Sequence, residues 1–224
     1  MPTCDGAAMD YETARHNMVE GQIRTNRVTD LAVIDALAEV PREAFLPRPL
    51  QGVAYIDEVL PLGGGRYMME PMVLARLLQA ATIGADDVVL VVGCGSGYEA
   101  AAIARLASTV VAVESDAELA ARAGESLNEQ GIDNAAVVEG EIAEGYPKQG
   151  PYDVIFINGA VDDVPPAILE QLAEGGRLVS IVNTGKVGTA RVISRVDGIV
   201  AGRDIFDAGT PSLPGMESAP AFVF

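Results

Sequence analysis

The chain has 224 residues, of which 49% are hydrophobic and 21% charged, and its 15 basic and 32 acidic side chains give a formal net charge of -17. This size and composition exclude a disordered chain and are typical of a globular domain with a sizeable core. Such a charge repels nucleic acid and anionic membrane surfaces, so we expect neither as a partner. The acidic residues are spread along the chain, which favours a solvated surface over an acidic binding face.

Cysteine usage and the lack of a targeting segment indicate a reducing compartment. The two cysteines, Cys4 and Cys94, make neither a disulfide framework nor a zinc site. The first residues lack the basic and apolar segments of a signal peptide. No stretch reaches the roughly 18 uninterrupted apolar residues of a membrane-spanning helix. We therefore expect a cytoplasmic protein; the sequence does not indicate its oligomeric state.

The N-terminal part is predicted to be helical over residues 10–40. Thr29 or Asp30 can cap the segment LAVIDALAEV, whose apolar residues recur at helical spacing, and Pro41 ends it. Residues 41–65 show no regular pattern. A second helix is predicted from Pro71, since proline suits a first helical turn.

The remainder alternates between apolar runs and helical segments, which is typical of an α/β fold with a mostly parallel sheet. An Asp197-Gly198 turn between two further apolar segments predicts an antiparallel hairpin after the last parallel strand. This order predicts a Rossmann-like class I methyltransferase fold with seven strands. The predicted strands are 88–92, 109–114, 135–140, 152–159 and 177–183, and the predicted helices are 99–108, 117–131 and 165–176.

The loop Gly93-Cys94-Gly95-Ser96-Gly97 lies between a predicted strand and a predicted helix. Glycine lets the backbone turn tightly and approach a ligand closely. Tyr98 follows the loop, so the third glycine of the dinucleotide pattern G-x-G-x-x-G is missing. S-adenosylmethionine has no pyrophosphate and does not need that glycine. The loop therefore favours S-adenosylmethionine over a nicotinamide cofactor.

Polar residues end the next three predicted strands. Glu114, followed by Ser115, can accept hydrogen bonds from both ribose hydroxyls, the alternative being a surface acid at a strand end. Glu141 can accept from the adenine amino group or be a solvated loop acid. Asn158 can contact cofactor or substrate, or only cap its turn.

At these residues the chain resembles the protein-L-isoaspartate O-methyltransferase family. The resemblance implies a class I methyltransferase core over residues 83–224, an N-terminal extension with a substrate loop over 1–82, and methyl transfer from S-adenosylmethionine to carboxyl groups of damaged aspartyl residues in proteins. The segments that carry it are ALAEVPREAFLP (36–47), AYID (54–57), GCGSGYEAAAIA (93–104), VVEGEIAEG (137–145) and GPYDVIFINGA (150–160).

The resemblance places Asp57 and the segment Met69-Glu70-Pro71 at the substrate site, and here the chain departs from the family. The family carries T-I-S-x-P, and its serine lies near the substrate carboxylate, whereas this chain has Met69 at that position. A thioether donates no hydrogen bond, and Glu70 adds negative charge beside a carboxylate site. We therefore expect weak or absent activity on an isoaspartyl peptide. Met68, Met69 and Met72 either fill core gaps or line a pocket for a more apolar acceptor.

No catalytic base is expected, because a carboxylate acceptor is already ionised at neutral pH. The single histidine, His16, is interpreted as a structural or surface residue, and no metal-ligand cluster is expected. Three functions remain open: methylation of damaged aspartyl residues, methylation of another acceptor, and a catalytically silent cofactor-binding module. An NAD-dependent oxidoreductase is a distant fourth.

Overall fold

A computed structural model describes residues 9–183 and 187–216. Cys4 lies outside these residues. In the described part the helices are α1 (Tyr11–Met18), α2 (Leu31–Glu39), α3 (Pro71–Ala81), α4 (Tyr98–Ala104), α5 (Ala117–Glu129) and α6 (Pro166–Leu169). The strands are β1 (Leu60–Gly63), β2 (Arg66–Met68), β3 (Val88–Val92), β4 (Thr109–Glu114), β5 (Ala135–Glu139), β6 (Tyr152–Val161), β7 (Leu172–Asn183), β8 (Gly188–Val196) and β9 (Ile199–Ala208).

Seven of the strands form one sheet in the order β5-β4-β3-β6-β7-β8-β9. The strands from β5 to β7 are parallel, and β8 and β9 are antiparallel to their neighbours. The turn between β8 and β9 has positive φ at both Asp197 (53°) and Gly198 (73°), as a two-residue type I′ hairpin requires. The predicted fold class, including the terminal hairpin, is confirmed.

Buried side chains cover both faces of the sheet. One cluster joins α1 to α5 with the sheet, and the other lies around α6 and includes Leu213 and Met216 near the end of the described chain. The parallel strands β3, β4 and β6 are buried on both faces, which explains their unbroken apolar runs. The carboxyl ends of β3, β4 and β6 meet at one edge, where ligands of open α/β sheets bind.

The predicted helix over 10–40 is interrupted. After α1 the chain continues as a π-helical turn (Val19–Ile23) and a short 3-10 turn, then passes through Arg27 with a positive φ of 65°. A new helix, α2, begins where the Asp30 carboxylate accepts from the Ala32 and Val33 amides. Asp30 rather than Thr29 is therefore the cap.

Two further predicted boundaries are wrong. The helix predicted over 165–176 is only α6, because Leu172 already pairs with Tyr152 in the sheet and Gly175 adopts a positive φ of 78°. The apolar spacing there reflects a bulged strand rather than a helix. The segment 41–65, which showed no pattern, contains two short 3-10 helices and strand β1, which pairs with β2 as a separate hairpin.

No helix in residues 9–183 or 187–216 is both long and apolar enough to cross a membrane.

The proposed division of the chain near residue 82 stays a prediction.

Candidate functional site

The glycine loop leaves β3 and enters α4 at the carboxyl edge of the sheet. Gly93, Gly95 and Gly97 all have positive φ, at 72°, 55° and 93°, which explains why glycine occupies each position. The Gly93 and Cys94 amides donate to the Val113 carbonyl, at 2.9 and 3.2 Å, so the loop is fixed to strand β4. The Ser96 hydroxyl is buried without a hydrogen-bond partner among the described residues.

Cys94 lies inside the loop and is fully buried. Burial raises the pKa of its thiol, and the negative charge of Glu114 raises it further. A protonated, inaccessible thiol is neither a nucleophile nor a metal ligand. Within the described chain no group of His, Cys, Asp and Glu side chains is placed to hold a metal ion.

Glu114 ends β4 beside the loop, but its carboxylate already has partners. Arg66 donates Nε and Nη2 to it at 3.0–3.2 Å, and the Gly95 amide donates to Oε2 at 2.9 Å. The amides of Ser115 and Asp116 complete its shell. Both members of the Arg66–Glu114 pair are buried. Arg66 was not predicted as a site residue.

Ser115 is brought into the same cluster, since its hydroxyl accepts from Arg66 Nη2 at 2.9 Å. A third contact fixes Arg66 from the other side, where Nη1 donates to the Pro214 carbonyl. Arg66 therefore joins strand β2, the end of β4 and the segment 210–216. Glu114, the predicted ribose acceptor, is therefore paired with Arg66 in this structure.

Two leucines cover the glycine loop. A Cβ at Gly93 would lie 2.7 Å from Leu213 Cδ1, and one at Gly95 would lie 2.9 Å from Leu62 Cδ1. Leu213 also contacts Gly159, and its segment is hydrogen-bonded to Ala160 in both directions. The cavity between Arg66, Asn158 and Leu213 measures about 10 Å³, which holds about one water molecule. A larger ligand therefore needs Arg66 and Leu213 to move.

Asn158 lies within β6, close to the loop. Its Nδ2 donates to the Gly93 carbonyl at 3.1 Å, while its Oδ1 is buried without a partner among the described residues. Glu99 lies in the first turn of α4, and its Oε1 accepts a hydrogen bond from the Met69 amide. Its Oε2 is also buried without a hydrogen-bond partner among the described residues. Burial raises the pKa of Glu99.

Met69 is buried, so its side chain fills the core while its backbone is held on both sides. Its carbonyl accepts from Arg42 Nη2 at 2.5 Å, and its amide donates to Glu99 at 3.3 Å. Arg42 is itself fully buried and lies over the Tyr98 ring. Met69 is buried and also lines the small cavity beside Arg66 and Asn158, so its environment is compatible with both interpretations. The charged residues Arg42 and Glu99 hold the backbone of Met69 in place.

Glu70 and Asp57 lie together at the start of α3. The Met72 amide donates to Asp57 Oδ1 at 3.4 Å, and Pro71 occupies the first helical position. Burial raises the pKa of Glu70, and the charge of Asp57 raises it further. The predicted substrate residues therefore form one acidic group beside Met69.

Two other residues lie at the surface. Glu141 follows β5 and is exposed, and its role toward adenine stays a prediction. His16 is exposed on α1, in agreement with its interpretation as a surface residue.

The site residues fit S-adenosylmethionine in chemistry. Unpartnered polar atoms of Ser96, Asn158 and Glu99 lie buried around a glycine loop, and a polar cofactor would give them partners. Sequence reasoning missed Arg66, Arg42, Glu99, Leu62 and Leu213. Only Glu99 carried a signal, as an acid in an otherwise apolar helical segment.

The chain is similar to known proteins over most of its length. A family model described as protein-L-isoaspartate(D-aspartate) O-methyltransferase matches residues 13–206. A protein-L-isoaspartate O-methyltransferase from Koribacter versatilis is 40% identical over 197 residues, covering 88% of this chain and 87% of that protein. One from Methanoculleus marisnigri is 41% identical over 168 residues, covering 75% of this chain and 76% of the relative.

Two solved structures are also similar. A protein-L-isoaspartate O-methyltransferase superposes with a TM-score of 0.79 and 28% identity, covering 91% of this chain and 67% of its own. A Plasmodium falciparum protein assigned as a beta-aspartate methyltransferase, in complex with S-adenosyl-L-homocysteine, has a TM-score of 0.79, 19% identity, and coverage of 93% and 100%. The second comparison supports the fold alone.

Proposed function

This chain belongs to the protein-L-isoaspartate(D-aspartate) O-methyltransferase family, and we propose that it transfers a methyl group from S-adenosylmethionine to a carboxylate of a polypeptide. The observation that carries the proposal is the glycine loop at the carboxyl edge of the sheet, with buried, unpartnered polar atoms around it. The family model spans this loop and the substrate segment before α3.

The cofactor-binding residues in this proposal are those at the ends of β3, β4, β5 and β6. Backbone groups of Gly93–Gly97 hold the amino-acid part, Glu114 with Ser115 accepts from the ribose, and Asn158 and Glu141 complete the site. Arg66 leaves Glu114 when the ribose binds. S-adenosylmethionine supplies an activated methyl group on a sulfonium.

The protein needs no general base for this reaction. A carboxylate oxygen of the acceptor forms the new O–CH₃ bond as the S–CH₃ bond breaks, and the electron pair of that bond stays on sulfur, so no proton moves. What the chain contributes is alignment and exclusion of water, and alignment alone can supply roughly 7–11 kcal/mol. Leu62 and Leu213 provide apolar cover for the reacting groups.

The segment Met69-Glu70 favours a second candidate within the same chemistry, an acceptor other than the isoaspartyl carboxylate. Met69 offers no hydroxyl, its backbone groups are already engaged, and Glu70 lies beside Asp57. A second negative group beside an incoming carboxylate raises the energy of binding. An uncharged or apolar acceptor does not meet this repulsion.

A methyl-transfer assay with labelled cofactor tests the proposal. The acceptors are an isoaspartyl peptide, the same peptide with a normal aspartyl residue, and a cell lysate. Methyl incorporation that depends on Glu114, and not on the exposed Glu125 of α5, supports the proposal. Binding of cofactor without incorporation into any acceptor would instead show a silent module.

A further inference from the structure

A cavity of about 250 Å³ lies away from the glycine loop, between α3 and the edge strand β9. Three arginines from three segments line it: Arg27 before α2, Arg76 on α3 and Arg203 on β9. The other lining residues are Gln79, Ala80, Ile205 and Phe206, so no acidic side chain lines the cavity.

This grouping runs against the charge of the whole chain. The chain has 32 acidic side chains against 15 basic ones. Five arginines of the described residues form ion pairs: Arg24, Arg66, Arg105, Arg177 and Arg191. None of the three cavity arginines forms an ion pair within residues 9–183 and 187–216. Burial lowers the pKa of Arg76, and the charge of Arg27 lowers it further, so these two guanidiniums repel each other.

The turn that carries Arg27 is hydrogen-bonded to α3. The Gln79 side-chain oxygen accepts from the Thr29 and Asp30 amides at 2.7 and 3.0 Å, and its nitrogen donates to the Arg27 carbonyl at 3.1 Å. Gln79 therefore ties the turn that carries Arg27 to helix α3. Arg27 itself has a left-handed backbone, which that turn fixes.

The other two arginines lie on α3 and β9. The Arg76 guanidinium lies 3.7 Å from the centre of the Phe206 ring. The register between β8 and β9 shifts by one residue between Ala190–Phe206 and Arg191–Asp204, leaving Ile205 as the extra residue. This bulge lets both Ile205 and Phe206 face the cavity beside Arg203. Three like charges around one cavity indicate a site for an anion.

The chemistry of the lining points to one class of anion. Guanidinium groups are donors only, and the amide of Gln79 is already engaged, so the cavity offers donors and no free acceptor. A peptide carboxylate would bring amide N–H groups that need acceptors. A condensed phosphate carries acceptors alone, and arginine binds phosphate in a bidentate manner. We propose that the Arg27–Arg76–Arg203 cavity binds a condensed phosphate, as the free pyrophosphate or triphosphate anion or as the phosphate tail of a nucleotide.

Calorimetry on the full chain with pyrophosphate, triphosphate, ADP and sulfate tests this proposal. We expect pyrophosphate and triphosphate to bind more tightly than sulfate. Loss of one charged hydrogen-bonding group should weaken binding about tenfold or more, so Arg76→Gln and Arg203→Gln should each do so. ADP binding as tightly as pyrophosphate identifies a nucleotide tail, and much weaker ADP binding identifies the free anion.

The matched control is Arg122→Gln. Arg122 is exposed on α5, which packs on β4 and β5 at the opposite end of the sheet from β9. Arg122→Gln should leave the affinity for pyrophosphate unchanged. Thermal melting of every variant shows whether it is folded. The proposal is overturned if pyrophosphate does not bind at millimolar concentration, if sulfate binds equally well, or if Arg122→Gln weakens binding as much as Arg76→Gln. Binding of a poly-glutamate peptide in place of pyrophosphate would show a polypeptide surface and would also overturn it.

Discussion

Arg66 and Glu114, 48 residues apart in sequence, form a buried ion pair in which Nε and Nη2 of the arginine both reach the carboxylate. The acid expected to bind ribose is therefore neutralised by the chain's own cation. The pair stabilises the site without ligand and competes with ligand for the same oxygens. Stability and cofactor affinity should consequently respond in opposite directions when Arg66 is changed.

Arg66→Gln should lower the free energy of unfolding and tighten cofactor binding. Removing one partner of a buried pair typically costs about 3–5 kcal/mol, and less here because three amides still donate to Glu114. Without the competing guanidinium, the affinity for S-adenosylmethionine should rise roughly tenfold, by about 1.4 kcal/mol. Denaturant unfolding and calorimetry measure the two effects separately.

Glu114→Ala should instead lower both the free energy of unfolding and the affinity for S-adenosylmethionine, because it removes the ribose acceptor and leaves the buried Arg66 without its anionic partner. Lost hydrogen bonds to a charged group correspond to about 1.5–3 kcal/mol of cofactor affinity. Glu125→Ala, on the exposed face of α5, is the control. If Arg66→Gln weakened cofactor binding, Arg66 would be a cofactor ligand and not a competitor.

Gly93→Ala should destabilise the protein for two separable reasons. The backbone has a φ of 72°, which costs an alanine roughly 1 kcal/mol or more, and the new methyl would lie 2.7 Å from Leu213 Cδ1. Leu213→Ala removes the close contact with the new methyl group but not the backbone strain. A double-mutant cycle should show a favourable coupling of about 1 kcal/mol between the two changes, measured by urea unfolding. Strictly additive effects would mean that Leu213 does not press on the loop.

Much of the fold could be predicted because each prediction rested on local chemistry. The apolar runs of β3, β4 and β6, the glycine loop and the Asp197-Gly198 turn all specify their own conformations. The segment after α6 could not be predicted, because the pairing of Leu172 with Tyr152 overrides a sequence with helical spacing. Strand pairing is a non-local effect that spacing does not encode.

The predicted glycine-loop residues lie at the sheet edge because strand ends determine where they fall. The side chains that close the site could not be found in this way. Arg66 reaches Glu114 and Leu213 reaches Gly93 only through tertiary packing, over separations that carry no sequence pattern. The role of the predicted residues as cofactor ligands stays a prediction.

Glu70→Gln should increase methylation of a carboxylate acceptor and remove a pH dependence. The pKa of Glu70 is raised above its ordinary value of 4.5 by burial, so its side chain stays neutral to a higher pH than an exposed glutamate does. In the wild type, kcat/KM should therefore fall as pH rises from about 4.5 through the raised pKa, as repulsion of the acceptor appears. The profile of Glu70→Gln should stay flat over this window.

Adding Met69→Ser to Glu70→Gln should raise turnover of an isoaspartyl peptide above that of Glu70→Gln alone. A hydroxyl can orient the acceptor, and a misplacement of about 1 Å can cost about a hundredfold in rate. Met69 is buried, so the serine also leaves a cavity that lowers stability. Met69→Leu, which keeps the volume and has no hydroxyl, is the control. High turnover by the wild type would refute the importance of the serine.

Glu99→Gln should stabilise the protein at pH 8 and have little effect near pH 4. Because burial raises the pKa of Glu99 in the folded chain, the unfolded chain ionises first as pH rises above about 4.5. The free energy of unfolding then falls until the native carboxyl ionises. Glutamine removes this loss, so Glu99→Gln should be more stable than the wild type at pH 8. Chemical unfolding at both pH values measures it, with Glu125→Gln as the exposed control, and an equal gain at pH 4 would exclude titration as the cause.

The position of Leu213 in the chain has a consequence for synthesis. The loop that it covers leaves the ribosome about 120 residues earlier, at a typical rate of roughly 5–20 residues per second. During that interval β3, β4 and β5 can pair while the glycines remain uncovered by Leu213. The nascent chain therefore passes through a stage in which the sheet edge is accessible, and a ligand present then meets the loop before its cover is made.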